Sequence, residues 1–158
     1  MRVVSNTSPI SYLVILNQIE LLPLLFGAVT IPDIVRGELS AQKAPLDVRE
    51  WIAAPPAWLT IQSVTARYDV DLMKVDAGER AAISLAEEIE ADLVLLDDLE
   101  ARLLASKRGL TITGVLGILD RAANRREINF AAVIDHLQKT NFRTSSAIVR
   151  ALLDKHRS

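Results

Sequence analysis

The sequence predicts an α/β fold: a three-layer α/β/α domain around a central parallel sheet of four to five strands. Three observations carry this prediction. Short apolar strands alternate with longer helical segments, the pattern of a parallel sheet covered on both faces. Two of the strands end directly in polar or acidic residues that run on into helices. The chain has 158 residues, half of them apolar, which suits one domain with a substantial core.

The elements follow in order. The first strand covers Arg2 to Ser5 and stops at Asn6, after which Thr7 and Ser8 turn into a helix begun by Pro9. Helices over 9–17 and 19–26 precede a strand at 28–31, and Pro32 and Asp33 open a helix that reaches Glu38 and Leu39. A polar stretch, 40–45, separates it from a helix at 46–53, which Pro55 and Pro56 stop before a strand at 59–64. The longest helix, 77–90, leads to a strand at 92–96 that ends in Asp97 and Asp98 and passes into a helix at 99–108. A strand at 111–113 and helices at 115–125, 130–139 and 145–156 complete a single domain, 1–158.

Composition narrows the chemistry. With no cysteine, disulfides and thiolate metal sites are excluded, and two histidines are too few for a zinc cluster, so any metal must be held by oxygen. Asn17, Gln18, Glu20 and Pro23 break the apolar stretch 10–31 before it reaches the roughly 20 residues of a membrane span. The N-terminus reads as strand and cap rather than signal peptide, and the expectation is a cytoplasmic protein without membrane attachment. Eighteen basic and twenty acidic residues give a net charge of −2. No strong basic footprint for nucleic acid is visible in that balance.

Four acids stand out by placement. Glu79 shares a helical face with Ala82, Ile83 and Ala86, which turns it toward the core. A capping box with Asp76 explains it equally well by local rules. Glu38 lies three and four residues after Val35 and Ile34, on a half-buried edge or at a solvated helix end. Asp97 and Asp98 stand at a strand's carboxyl end, where open parallel sheets place their ligand crevice, yet aspartate also suits a helix N-cap.

Taken together, the segments Ser5-Asn6-Thr7-Ser8-Pro9, Val35-Arg36-Gly37-Glu38-Leu39, Asp76-Ala77-Gly78-Glu79-Arg80-Ala81-Ala82-Ile83 and Leu93-Val94-Leu95-Leu96-Asp97-Asp98 resemble the PIN-domain family. The later run Thr111-Ile112-Thr113-Gly114-Val115-Leu116-Gly117-Ile118-Leu119 resembles the strand-turn-helix of a branch of short prokaryotic PIN-like proteins. The resemblance implies a metal-dependent ribonuclease, a toxin of a toxin–antitoxin pair, with acids around one or two divalent ions. It carries over as Glu38, Glu79 and Asp97 for catalysis and as Asn6, Glu79, Asp97 and Asp98 for the metal. The family usually has aspartate where this chain has Asn6, so the resemblance implies the fold more firmly than the activity.

Carboxylates crowded in one cleft repel one another, and Mg²⁺ or Mn²⁺ is the natural neutralising ion. Such an ion activates water and offsets charge on a phosphoryl group. Glu38 is assigned to orient or deprotonate the water, and the hydroxyls of Thr7, Ser8 and Thr113 to bind phosphate or ordered water, although caps and strand ends explain those hydroxyls equally well. The expected partners are a single-stranded RNA segment, a small antitoxin-like protein and a second copy of the chain. A PIN-like binding protein that does not cleave is the alternative. A nucleotide-binding or response-regulator-like domain fits less well because no Gly-rich phosphate loop is present.

Overall fold

The computed structural model describes residues 1–157. The chain forms two compact units, Met1–Val115 and another from Leu116 onward. The first contains one five-stranded, all-parallel sheet in the order β3-β2-β1-β4-β5, flanked by helices in the three-layer α/β/α arrangement. Its strands are β1 (Val3–Ser5), β2 (Val29–Pro32), β3 (Leu59–Gln62), β4 (Leu93–Leu95) and β5 (Ile112–Thr113).

Strand order reverses between β1 and β4, and this makes the carboxyl ends of those two strands the floor of a crevice. Their register is fixed residue by residue: Val3 lies opposite Leu93, Val4 opposite Val94 and Ser5 opposite Leu95. The Asn6 N–H then donates to the Leu95 carbonyl at 3.0 Å, carrying the ladder one residue past the end of β1. On the other side of β4, Leu95 pairs with Thr113. All three residues of β1 and of β4 are buried, as expected of central parallel strands covered on both faces.

The helices of this unit are α1 (Thr7–Ile15), α2 (Leu21–Phe26), α3 (Asp33–Leu39), α4 (Leu46–Ala53), α5 (Ala77–Glu88) and α6 (Leu99–Lys107). The first of them begins at Thr7, two residues before the Pro9 start that the sequence suggests. Proline is still tolerated there because the first turn's N–H groups have no intrahelical partner. Helix α5 is the most deeply embedded. Ala81, Ala82, Ile83, Leu85 and Ala86 are all fully buried, and the last four pack in one cluster with Val4, Val94 and Leu96 of the sheet and Ala101 and Ala105 of α6. Its small alanines let the helix lie close on the sheet. A short 3-10 helix, Leu72–Lys74, precedes it and is absent from the sequence-based expectation. Three residues are too few to show a hydrophobic period.

The second unit is helical: most of α7 (Val115–Asn124), then α8 (Phe130–Gln138) and α9 (Ser146–Lys155). Asp120 accepts from Lys155 Nζ at 2.9 Å and lies 2.7 Å from His156 Nε2, tying the end of α9 to α7. The His156 ring packs on Phe130 with centroids 4.7 Å apart. Among the described residues no helix is long and apolar enough to cross a membrane.

Replacing Ile83, fully buried at the centre of α5, by alanine is expected to cost about 2–5 kcal/mol. Urea titration checks this: the midpoint should fall while the slope stays unchanged, and an unshifted midpoint would mean the cluster around α5 does not support the fold.

Candidate active site

The crevice is built from the ends of β1 and β4, the N-terminus of α5 and the last turns of α3. Asn6 occupies the N-cap position of α1 with extended backbone, but its side chain makes no cap hydrogen bond. The amide is buried, and its Oδ1 has no hydrogen-bond partner. Thr7 donates its hydroxyl to Glu38 Oε1 in a short hydrogen bond, so α3 delivers Glu38 to the end of β1. Gly78 makes room for both. A Cβ at Gly78 would run into the Glu38 carboxylate and lie 2.9 Å from Asn6 Oδ1, so glycine is the residue that lets the two oxygens meet over the start of α5.

Asp97 stands two residues beyond the end of the neighbouring strand, β4. Its Oδ1 accepts from the Val115 N–H at 2.8 Å, while its Oδ2 is buried without a partner. A glycine again permits the approach: a Cβ at Gly114 would lie 2.6 Å from Asp97 Oδ1 and 2.8 Å from Arg102 Nη1. Arg102 donates to the Leu96 carbonyl at 3.2 Å. Burial pushes the Asp97 carboxyl up to about 6, with the Val115 N–H and the Arg102 charge pulling the other way. Tyr12 faces this charge too; burial and then Asp97 raise its phenol above the ordinary value.

Glu79 is both core-facing and capping. It is buried, its Oε1 accepts from the Asp76 N–H at 3.1 Å, and the Glu79 N–H donates to Asp76 Oδ1 at 2.9 Å, a complete capping box. Both of the readings open in the sequence therefore hold for this residue. Burial lifts its carboxyl to about 7; the Asp76 N–H opposes that rise, and the charges of Asp76 and Asp98 add to it. Asp98 is exposed and caps α6, accepting from the Ala101 N–H at 3.1 Å.

A single convergent cluster of acids is not what the described residues form: no three His, Cys, Asp or Glu side chains gather closely enough to hold an ion together. The reason is local. Glu38 is taken by Thr7, Glu79 by the start of α5, Asp97 by Val115 and Arg102, and Asp98 by α6. What remains open is a pair of buried oxygens, Asn6 Oδ1 and Asp97 Oδ2, at the carboxyl ends of adjacent strands. Buried oxygens are nearly always partnered, so two orphans at a switch point call for a ligand. This donor set suits a hard, oxygen-seeking cation that keeps several waters. Thr7, Ser8 and Thr113 are all half-buried near these strand ends.

A family model described as a PIN domain matches residues 2–158. The chain belongs to the PIN-domain family. No curated protein and no solved structure shows significant similarity to it. Within this PIN domain, sequence reasoning overlooks Arg102 and the two glycines. Side chains of a helix lean toward its N-terminus, so an arginine in the first turns of α6 reaches back to the end of β4. Its spacing from Asp97 is the signal that could have found it.

The raised carboxyls set a pH dependence. Between about pH 4 and 7 the folded protein binds more protons at Glu79 and Asp97 than the unfolded chain, so their contribution falls as pH rises through that window. In EDTA the melting temperature is expected to be higher at pH 5.5 than at pH 8, with Asp97→Asn flattening the difference. A wild-type protein equally stable at both values would show that these groups are not raised.

Proposed function

We propose that the protein is a metal-dependent ribonuclease of the PIN type, acting in the cytoplasm as the toxin of a toxin–antitoxin pair and weakened by Asn6. The observation that carries this reading is the pair of orphaned buried oxygens, Asn6 Oδ1 and Asp97 Oδ2, above the β1–β4 switch point. Asn6, Asp97 and Glu79 would hold Mg²⁺ or Mn²⁺, with Asp98 in support. Such an ion supplies a water of lowered pKa and offsets charge on the phosphoryl oxygens.

The chain's own side chains do the rest. Thr7 fixes one oxygen of Glu38, leaving the other to orient the attacking water and accept its proton. Glu79 would meet the ion as a carboxylate, because a neighbouring cation favours the charged form that burial alone disfavours. Ser8, Thr113 and the Arg102 guanidinium would meet phosphate oxygens of a single-stranded RNA segment. An amide at position 6 brings an oxygen but no charge, so the ion is held less tightly than by aspartate. One observation favours a second reading, a PIN-like binding protein that does not cleave: Arg102 already lowers the charge cost of Asp97.

Millimolar Mg²⁺ or Mn²⁺ is expected to raise the melting temperature. Asn6→Asp should enlarge that shift and raise RNA cleavage at limiting metal by roughly tenfold or more, a tenfold change in metal affinity being about 1.4 kcal/mol. Asp97→Asn should lower cleavage by roughly a hundredfold. Cleavage by the native chain that equals the Asn6→Asp variant would remove position 6 from the ligand set, and no cleavage by either would favour the binding protein.

A small antitoxin-like partner is part of the same reading, because an arginine on its tail could pair with Glu79 and Asp97 through two parallel hydrogen bonds. A second copy of the chain fits the exposed apolar side chains Val70, Met73, Leu99 and Leu103. Co-expression with a small reading frame found beside the gene should give a co-purifying complex without cleavage activity. A neighbouring product that neither binds nor inhibits would count against the toxin role.

A further inference from the structure

The net charge of −2 conceals a division along the chain. Residues 1–115 carry ten Lys or Arg against sixteen Asp or Glu, whereas the residues from Leu116 onward carry eight against four. The acidic crevice lies in the first unit, and the helical unit is its opposite in sign, −6 against +4.

That positive charge borders a cavity. An open pocket of about 1050 Å³ between the end of α7, the start of α8 and the end of α9 is lined by Asn124, Arg126, Asn129, Lys155, His156 and Arg157 among its polar residues. Among the described residues no carboxylate lies on its wall. The acids that pair with these groups, Asp120 with Lys155 and His156 and Asp154 with Arg157, stand outside the lining. Those acids offset part of the charge of Lys155, His156 and Arg157, and the attraction for anions is strongest at Arg126.

Arg126 is the sharpest feature. Its φ of +58° lies in the left-handed region that helix ends ordinarily give to glycine or asparagine. The backbone there is pinned by two hydrogen bonds, Arg126 N–H to the Ala123 carbonyl at 3.0 Å and Glu127 N–H to the Ala122 carbonyl at 2.9 Å. An arginine is thus held, against its backbone preference, at the mouth of a basic pocket. Its side chain is exposed and enters no ion pair among the described residues.

We propose that this pocket is a second binding site, for the phosphates of a single-stranded RNA, with Arg126 as its principal contact and Arg157 and Lys155 beside it. RNA as the ligand rests on the proposed function; the pocket and its charge do not. Planar guanidinium groups bind phosphate through two parallel hydrogen bonds, and the two asparagines add neutral amides for ribose or phosphate oxygens. The site holds strand rather than cutting it, because it offers no carboxylate to take up a metal and its His156 ring is already engaged by Asp120.

The test is fluorescence anisotropy of a labelled twelve-nucleotide single-stranded RNA with the full chain in EDTA, where metal-dependent cleavage is silent, across a series of salt concentrations. Arg126→Glu is expected to weaken binding about fivefold or more and to reduce the magnitude of the salt slope by about one for each phosphate that is no longer neutralised. Lys107→Glu, the same charge change on the first unit, should alter affinity less than twofold. Arg126→Gln, which keeps a long polar side chain without the charge, should fall between native and Arg126→Glu, and thermal melts of all three variants should match the native protein. Equal weakening by Arg126→Glu and Lys107→Glu would reduce the effect to overall charge and overturn the proposal, as would an unchanged affinity in Arg126→Glu. Displacement of the RNA by inorganic phosphate at equal phosphate concentration would also overturn it, by making the site one for a small anion. Failure of the nuclease reading looks different: RNA would bind through Arg126 yet remain uncut in Mg²⁺ or Mn²⁺.

Discussion

Everything at the crevice depends on the parallel pairing of β1 with β4. These strands are ninety residues apart in sequence, and only their ladder, Val3 to Leu93 through Ser5 to Leu95, brings Asn6 beside the residues that lead to Asp97. The Asn6 N–H bond to the Leu95 carbonyl holds the two strand ends in step. A slip by one residue would turn Asn6 to the opposite face of the sheet, because side chains alternate along a strand. The apolar neighbours prevent such a slip. Val4 and Val94 are fully buried on the face covered by α5, and exchanging faces would set side chains of other size and shape into a close-packed layer.

Around that pairing, the unit uses its hydrogen bonds to hold each acid separately. Thr7, the α5 N-terminus, the Val115 N–H and the α6 N-terminus each take one carboxylate, which limits mutual repulsion in a buried place. The two glycines complete the arrangement by letting oxygens approach backbone at Gly78 and Gly114. What is left over, one amide oxygen and one carboxylate oxygen, is a smaller and less charged donor set than four converging acids. The character of the site follows from that remainder.

Charge is sorted on the larger scale as well. Acids gather in the sheet-bearing unit and cations in the helical one. A total near zero says little about nucleic-acid binding when the two signs are segregated, since screening confines each field to about 8–10 Å at physiological salt.

The sequence by itself determined the elements and their type. Alternation of strand and helix, the proline breaks and the strand-end polar residues placed all five strands and the main helices, missing only the brief 3-10 turn and a few terminal residues, because those features are local. It also determined which residues stand at carboxyl ends, and the family match over residues 2–158 agrees with the resemblance carried by their order. Tertiary structure decided the rest. Strand order put Asn6 at the end of the strand next to the one that leads to Asp97; a hydrogen bond from Thr7 fixed Glu38; and Gly78 and Gly114 became necessary only once side chains from distant elements lay over them. The role of Arg102 and the separation of the acids were equally invisible. Both depend on which hydrogen-bond partner lies nearest across the fold, and sequence spacing carries no distance between residues that meet only when the sheet closes.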